Sequence, residues 1–241
     1  MARRLWQIEI RVNDLQRSMA FFGQVFDWQI TAVSEDYAMV DTGQPPIASL
    51  WQIGESGMPL GVCHYVRSAD CDADAARAVE LGGKIAVEHS DVPGAGAWTD
   101  TLDPWLNELA FWQPEEDAEP ELSGSGVNPI SWLEIGAADL DAAMHYYSAL
   151  VAWPFEPVEG MIDYAVCTAV APGVGLVGGD RGARLRGMTD YISVTDIART
   201  CQAIKDNGGQ VLGAPRDLGD GSLFALFLDP DQNRFGIVQP G

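Results

Sequence analysis

From Leu5 to Val12 apolar and polar residues alternate, with Trp6, Ile8, Ile10 and Val12 on one side and Gln7, Glu9 and Arg11 on the other. A period of two predicts a strand with one buried face. At Asp14 the period changes. Leu15, Met19, Phe22 and Phe26 recur at i, i+4, i+7 and i+11, which predicts a helix capped by Asp14. Short apolar stretches broken by Gly and Pro follow around 36–41 and 47–53 and predict strands. A second strand and helix fall at 62–67 and 72–81, closed by Gly82-Gly83, a pair suited to a left-handed helix end. Strands are then expected around 84–88, 97–102 and 108–113.

The whole series then recurs. A shift of 125 carries Asp14-Leu15 onto Asp139-Leu140, Phe21-Phe22 onto Tyr146-Tyr147 and Trp28 onto Trp153. A shift of 126 carries Tyr65 onto Tyr191, Gly82-Gly83 onto Gly208-Gly209, Asp103-Pro104 onto Asp229-Pro230 and Asn107 onto Asn233. The second copy predicts strands around 163–170 and 174–178, a strand and helix at 189–194 and 197–206, and strands around 210–212, 223–228 and 234–239. The order β-α-β-β-β therefore occurs four times, two modules to each domain. Residues 115–128, an acidic stretch passing into Gly and Ser, have the composition of a linker, so the domains are expected at 1–114 and 129–241.

Charge narrows the function. The chain carries 35 acidic residues against 14 Lys and Arg, a net charge of −21, and a surface so acidic repels a phosphate backbone. Nucleic acid is not an expected partner. No apolar run is long enough to span a bilayer, so no membrane partner is expected and the protein is placed in the cytoplasm. Cys63, Cys71, Cys167 and Cys201 form no C-x-x-C pair and read as buried thiols rather than as disulfides or a zinc site. The histidines are not expected to combine, with His64 toward the helix side, His89 in a turn and His145 on a helix. Two motif matches fail on context. Gly173-Val-Gly-Leu-Val-Gly178 is followed by Gly-Asp-Arg-Gly rather than an amphipathic helix, and Asp229-Pro-Asp-Gln-Asn233 has Arg234 where a calcium loop needs Gly.

The segments Gln7-Ile-Glu-Ile-Arg-Val-Asn-Asp-Leu with Val25-Phe-Asp-Trp28, Trp132-Leu-Glu-Ile-Gly-Ala-Ala-Asp-Leu with Trp153, and Asp229-Pro-Asp-Gln-Asn-Arg-Phe-Gly-Ile-Val238 resemble the vicinal oxygen chelate superfamily. That superfamily includes glyoxalase I, bleomycin and fosfomycin resistance proteins and extradiol dioxygenases. The resemblance implies an α+β fold of tandem βαβββ modules, paired into cup-shaped mixed sheets. It also implies a divalent metal held by the first strand of each module and near the end of its last strand. The residues that fall there are Gln7, Cys63 and Ala110 in the first half and Trp132, Thr189 and Gly236 in the second, a poor set for such an ion. No metal and no cofactor is expected.

Alternation places Gln7, Glu9 and Arg11 in the first cup, continued by Cys63, Tyr65 and Arg67. Trp132 and Glu134 enter the second, continued by Thr189 and Tyr191. Glu9 and Glu134 are equivalent and are the candidate general bases, since a half-buried carboxylate is easier to protonate. Arg11 and Arg67 suit a carboxylate or enolate, whereas Trp132 suits an aromatic molecule. The expected function is binding of a small organic molecule in the cups; the alternative is a metal-independent lyase or isomerase acting on a carbonyl compound, and not a true glyoxalase I. A homodimer is left open.

Overall fold

The computed structural model describes residues 2–116, 128–185 and 187–241. The first module runs β1 (Leu5–Val12), α1 (Leu15–Phe26), β2 (Gln29–Ala32), β3 (Tyr37–Asp41) and β4 (Ile47–Gln52). The second has β5 (Gly61–Arg67), α2 (Cys71–Glu80), β6 (Lys84–Val92), β7 (Gly96–Leu102) and β8 (Glu108–Pro114). In the third are β9 (Ile130–Gly136), α3 (Leu140–Val151), β10 (Glu156–Pro157), β11 (Tyr164–Cys167), β12 (Gly173–Val177) and an added helix, α4 (Gly179–Leu185). The fourth comprises β13 (Met188–Ser193), α5 (Ile197–Asp206), β14 (Gln210–Val211), β15 (Arg216–Asp217), β16 (Leu223–Leu228) and β17 (Arg234–Gln239). The predicted βαβββ series is present four times, in mixed sheets. The expected linker lies largely outside the described residues.

Among the described residues, four of the five helices begin in the same way. Asp14, Asp70, Asp139 and Asp196 each accept a hydrogen bond from the backbone N–H three residues on, at 2.9–3.0 Å. Each cap satisfies an amide that the first turn leaves without a helical partner. Gly82 and Gly208, after α2 and α5, have φ of 98° and 90°, the left-handed conformation that a Gly-Gly pair permits.

Two compact units result. The first module (Gln7–Val62) and the fourth (Thr189–Gly241) form one, and the second and third, with the chain up to Trp6, form the other. In the first–fourth unit the strand orders are β2-β3-β4-β1 and β13-β17-β16-β14, with β15 paired to β16. β1 lies parallel to β4 and β13 parallel to β17, and the remaining pairs are antiparallel. Its core is aromatic. Phe22 on α1 stands edge-on to Phe235 at 5.7 Å, and Phe26 lies 5.8 Å from Phe227. The buried Trp28 stacks on Phe22 at 5.5 Å.

In the second–third unit the orders are β5-β8-β7-β6 and β10-β11-β12-β9. Tyr147 and Trp153 hold the places of Phe22 and Trp28, packed with Tyr146 and Phe155, and the buried Tyr147 hydroxyl donates to Asp103 at 2.7 Å. The two Asp-Pro turns act as equivalent ties. Asn107 donates to the Gly136 carbonyl in one unit, and Asn233 to the Arg11 carbonyl in the other, each also held by its own Asp. Asp229–Asn233 is thus a turn, and it joins two modules.

Helix α4 corrects the expectation that no helix follows Gly178. Its Gly182 lies so close to the Val177 and Ala137 carbonyls that a Cβ would stand 2.0–2.1 Å from them. Packing on the neighbouring backbone, rather than an amphipathic pattern, sets this helix. Gly173 and Gly175 lie in β12, as the repeat predicts.

Candidate functional site

On β1, Gln7, Glu9 and Arg11 share the side opposite to Ile8 and Ile10. The parallel register sets Glu9 beside Ser49 of β4, and β3 brings Tyr37 to the same face. Gln7 Nε2 donates to Tyr37 Oη and to Ser49 Oγ, both at 2.8 Å. Glu9 is 7% exposed and Arg11 0%, with Arg11 Nε 3.6 Å from Glu9 Oε1. Burial, helped by the Glu9 charge, pushes the Tyr37 phenol up to about 12. Tyr37 therefore keeps its O–H over the whole physiological range.

The third module repeats this face with different neighbours. Glu134 on β9 is 8% exposed and sits beside Gly175 of β12 as Glu9 sits beside Ser49. β11 supplies Tyr164, which the strand register makes the counterpart of Tyr37. Its phenol is likewise pushed up to about 12, first by burial and then by Glu134, while Trp132 and Arg181 act the other way. Arg181 of α4 donates to Glu134 Oε1 at 3.2 Å, and its guanidinium carbon lies 5.8 Å from the Tyr164 ring centre. The glycines of β12 make room for the rings. A Cβ on Gly173 would stand 2.4 Å from the Trp132 ring, and one on Gly175 would stand 2.4 Å from Tyr164 Oη. Trp132 consequently lies flat over the strand, half-buried, with Glu134, Tyr164 and Arg181 beside it.

Tyr37, Ser49, Tyr164 and Arg181 were not among the sequence candidates. Tyr37 and Tyr164 are 127 apart, not 125 or 126, so the repeat offsets that align the other positions miss them. Arg181 belongs to the helix that the periodicity did not predict.

Of the other candidates, Cys63, Tyr65 and Thr189 are buried, whereas Arg67 and Tyr191 are half-buried. In the second module Cys63 and Tyr65 are buried with Ala110, Trp98 and Trp112, and the Tyr65 ring lies 6.1 Å from Trp98. Arg67 lies over the Trp6 ring at 4.9 Å, with Arg4 at 5.3 Å from the same ring. In the fourth module Thr189 is fully buried and accepts a hydrogen bond from Arg234 Nε at 3.0 Å. Tyr191 lies over Gly236, where a Cβ would come 2.3 Å from the ring.

Of the positions that the resemblance assigns to a divalent metal, Cys63 alone lies in a group of donor atoms among the described residues. Gln7 is engaged by Tyr37 and Ser49, Ala110 is in an apolar cluster, and the Tyr191 ring occupies the space a side chain at 236 would need. Two donor groups occur among the described residues, one of them at Cys63. Cys63, Asp100 and Glu108 offer three donor atoms within 4.8 Å of one another, as do Cys71, Asp72 and His89. The sequence reading missed both sets because adjacent strands and the start of α2 bring together residues distant in the chain. His89 also corrects an expectation, since it lies in β6 rather than in a turn and does meet other donors. All four cysteines are buried, and among the described residues none is in a disulfide.

Comparison with known proteins agrees with this architecture. The Glyoxalase/Bleomycin resistance protein/Dioxygenase superfamily profile matches residues 4–111 and again 129–237. CFP32 of Mycobacterium tuberculosis is 23% identical over 247 residues, spanning 97% of this chain and 93% of its own. The anthracycline biosynthesis protein DnrV of Streptomyces peucetius is 25% identical, over 94% of this chain and 89% of its own. Homoprotocatechuate 2,3-dioxygenase from Brevibacterium fuscum, 18% identical, shares the fold with a TM-score of 0.67 over 98% of this chain and 81% of its own. With both halves matched and the βαβββ series present four times, the chain belongs to the glyoxalase/bleomycin resistance protein/dioxygenase superfamily.

Proposed function

We propose that this protein binds a small planar organic molecule carrying carbonyl or hydroxyl oxygens, and that the face of the third module receives it. The observation that carries this reading is the half-buried Trp132, laid over Gly173 and Gly175 beside Glu134, Tyr164 and the exposed Arg181. A flat indole offers stacking area, and three polar groups of different character sit at its edge. Tyr164 keeps its proton and donates to a ligand oxygen, Arg181 favours an anionic oxygen, and Glu134 accepts a ligand O–H. The first module carries the same Glu–Tyr pair, but there Gln7 and the buried Arg11 fill the positions around it. DnrV, a relative along nearly the whole chain, is named for anthracycline biosynthesis, and a molecule of that planar, oxygenated kind matches the chemistry of this face.

The test is titration of a hydroxyanthraquinone probe followed by tryptophan fluorescence, with binding confirmed by native mass spectrometry. Trp132→Ala and Gly175→Ala are each expected to weaken binding about tenfold, a loss of the order of 1.4 kcal/mol. Equal affinity in the wild type and Trp132→Ala would sink the reading.

A second reading, an enzyme with Glu134 as general base, is favoured by the burial of that carboxylate beside Arg181. Glu134→Gln separates the two. A binder keeps its affinity within a few-fold, whereas an enzyme loses turnover by ~10²–10⁴.

A further inference from the structure

The second module holds a group of donors that the functions argued above do not use. Cys71 is the first residue of α2, buried, with its backbone N–H donating to Gln113 Oε1 at 3.0 Å. Asp72 follows it, and His89 reaches the same point from β6. His89 Nδ1 lies 3.0 and 3.1 Å from the two Asp72 oxygens and 3.8 Å from Cys71 Sγ.

These separations are close to the edges of a coordination tetrahedron. Around a zinc ion with the usual bond lengths, nitrogen and sulfur donors stand roughly 3.6 Å apart and nitrogen and oxygen donors roughly 3.4 Å apart. Rotations of the half-exposed His89 and the exposed Asp72 side chains absorb the few tenths that remain. A thiolate and a carboxylate together neutralise a divalent charge, and the neutral imidazole completes a mixed S, N, O set that suits zinc.

A further observation concerns the other ring nitrogen. His89 Nε2 is 3.2 Å from Asp91 Oδ1. A carboxylate that accepts from Nε2–H fixes the tautomer and leaves the Nδ1 lone pair for a metal, the arrangement by which metal-bound histidines are oriented. Thr99 Oγ1 holds Asp72 from the strand side at 3.3 Å. The fourth module, related by a shift of 126, has Ile197 and Ala198 where the second has Cys71 and Asp72. The donors are therefore not a by-product of the repeated fold.

We propose that Cys71, Asp72 and His89 bind one divalent cation of the zinc class, with Asp91 as a positioning residue, and that the ion ties the first turn of α2 to β6. Solvent completes the coordination on the exposed side.

The experiment uses the full chain stripped of metal. Zn²⁺ affinity is measured by competition with a chromophoric chelator, and Co²⁺ is added to report thiolate ligation by its charge-transfer band. One tight site with a thiolate band is expected, lost in Cys71→Ser and retained in Cys63→Ser, which addresses the other donor group. His89→Gln should weaken zinc by at least about 100-fold, and Asp91→Asn by about 10–100-fold. Because Cys71 is buried, the exposed His89 carries the decision, with circular dichroism of the metal-free variant confirming its fold. Zinc affinity unchanged in His89→Gln, no binding by the wild type, or a cobalt band that depends on Cys63 would each overturn the proposal.

Discussion

Asp229 has none of its surface exposed, yet its carboxylate accepts from the backbone of Asp231 and Asn233 and from the Asn233 side chain. Burial outweighs those hydrogen bonds and pushes its pKa up to about 6. The sign of the resulting linkage follows from that direction. A carboxyl that holds its proton more tightly when folded contributes stability below about pH 4, and this is lost as pH rises through about 6. Above that the buried charge costs on the order of 2–3 kcal/mol. Urea unfolding of the wild type and Asp229→Asn at about pH 5 and pH 7.5 should show the wild type losing roughly 1 kcal/mol relative to the variant. A difference that does not change with pH would show that Asp229 has no such linkage. The repeat of Asp-Pro and Asn was legible in the chain. The carbonyls that Asn107 and Asn233 reach were not, since Gly136 and Arg11 are ordinary strand residues with no signal for that role.

Among the elements, the helices that the periodicity predicts are those with an aspartate cap and an apolar stripe, both local properties. α4 has neither. Its position depends on Gly182 approaching two backbone carbonyls, and it delivers Arg181 to Glu134. Gly182→Ala is expected to destabilise the protein by about 1–3 kcal/mol, because backbone on both sides cannot yield. Gly23→Ala, within α1, meets nothing nearer than 3.7 Å and is expected to stabilise by roughly 0.4–1 kcal/mol. Thermal unfolding of the two variants should thus move in opposite directions; a stabilised Gly182→Ala would show that α4 is not seated as described. The glycines of β12 make the same point for the site. In the sequence they match a glycine motif that fails on its context, whereas in the fold they are the floor on which Trp132 and Tyr164 lie.

At the scale of the molecule, the compact units do not follow the two halves of the chain. The aromatic face of α1 packs on Phe227 and Phe235, more than 200 residues away, and Tyr147 on α3 is bonded to Asp103. Separating the halves as residues 1–116 and 129–241 would expose these faces, and each buried Phe is worth about 1.5–3 kcal/mol. Neither fragment is expected to remain a folded monomer in analytical ultracentrifugation, while mixing them should restore a 1:1 particle with the native spectrum. A stable monomer of either fragment would contradict this account. The sequence by itself determined the fourfold βαβββ series, the caps, the acidic surface and the equivalence of Glu9 and Glu134. Those are set by periodicity, residue chemistry and repetition, which act within a module. Only the tertiary structure decided that Tyr37 and Tyr164 join those glutamates, that Arg181 stands beside one of them, and that Cys71, Asp72 and His89 meet. Such groupings depend on strand register and helix packing, and these bring together positions whose spacing along the chain carries no period.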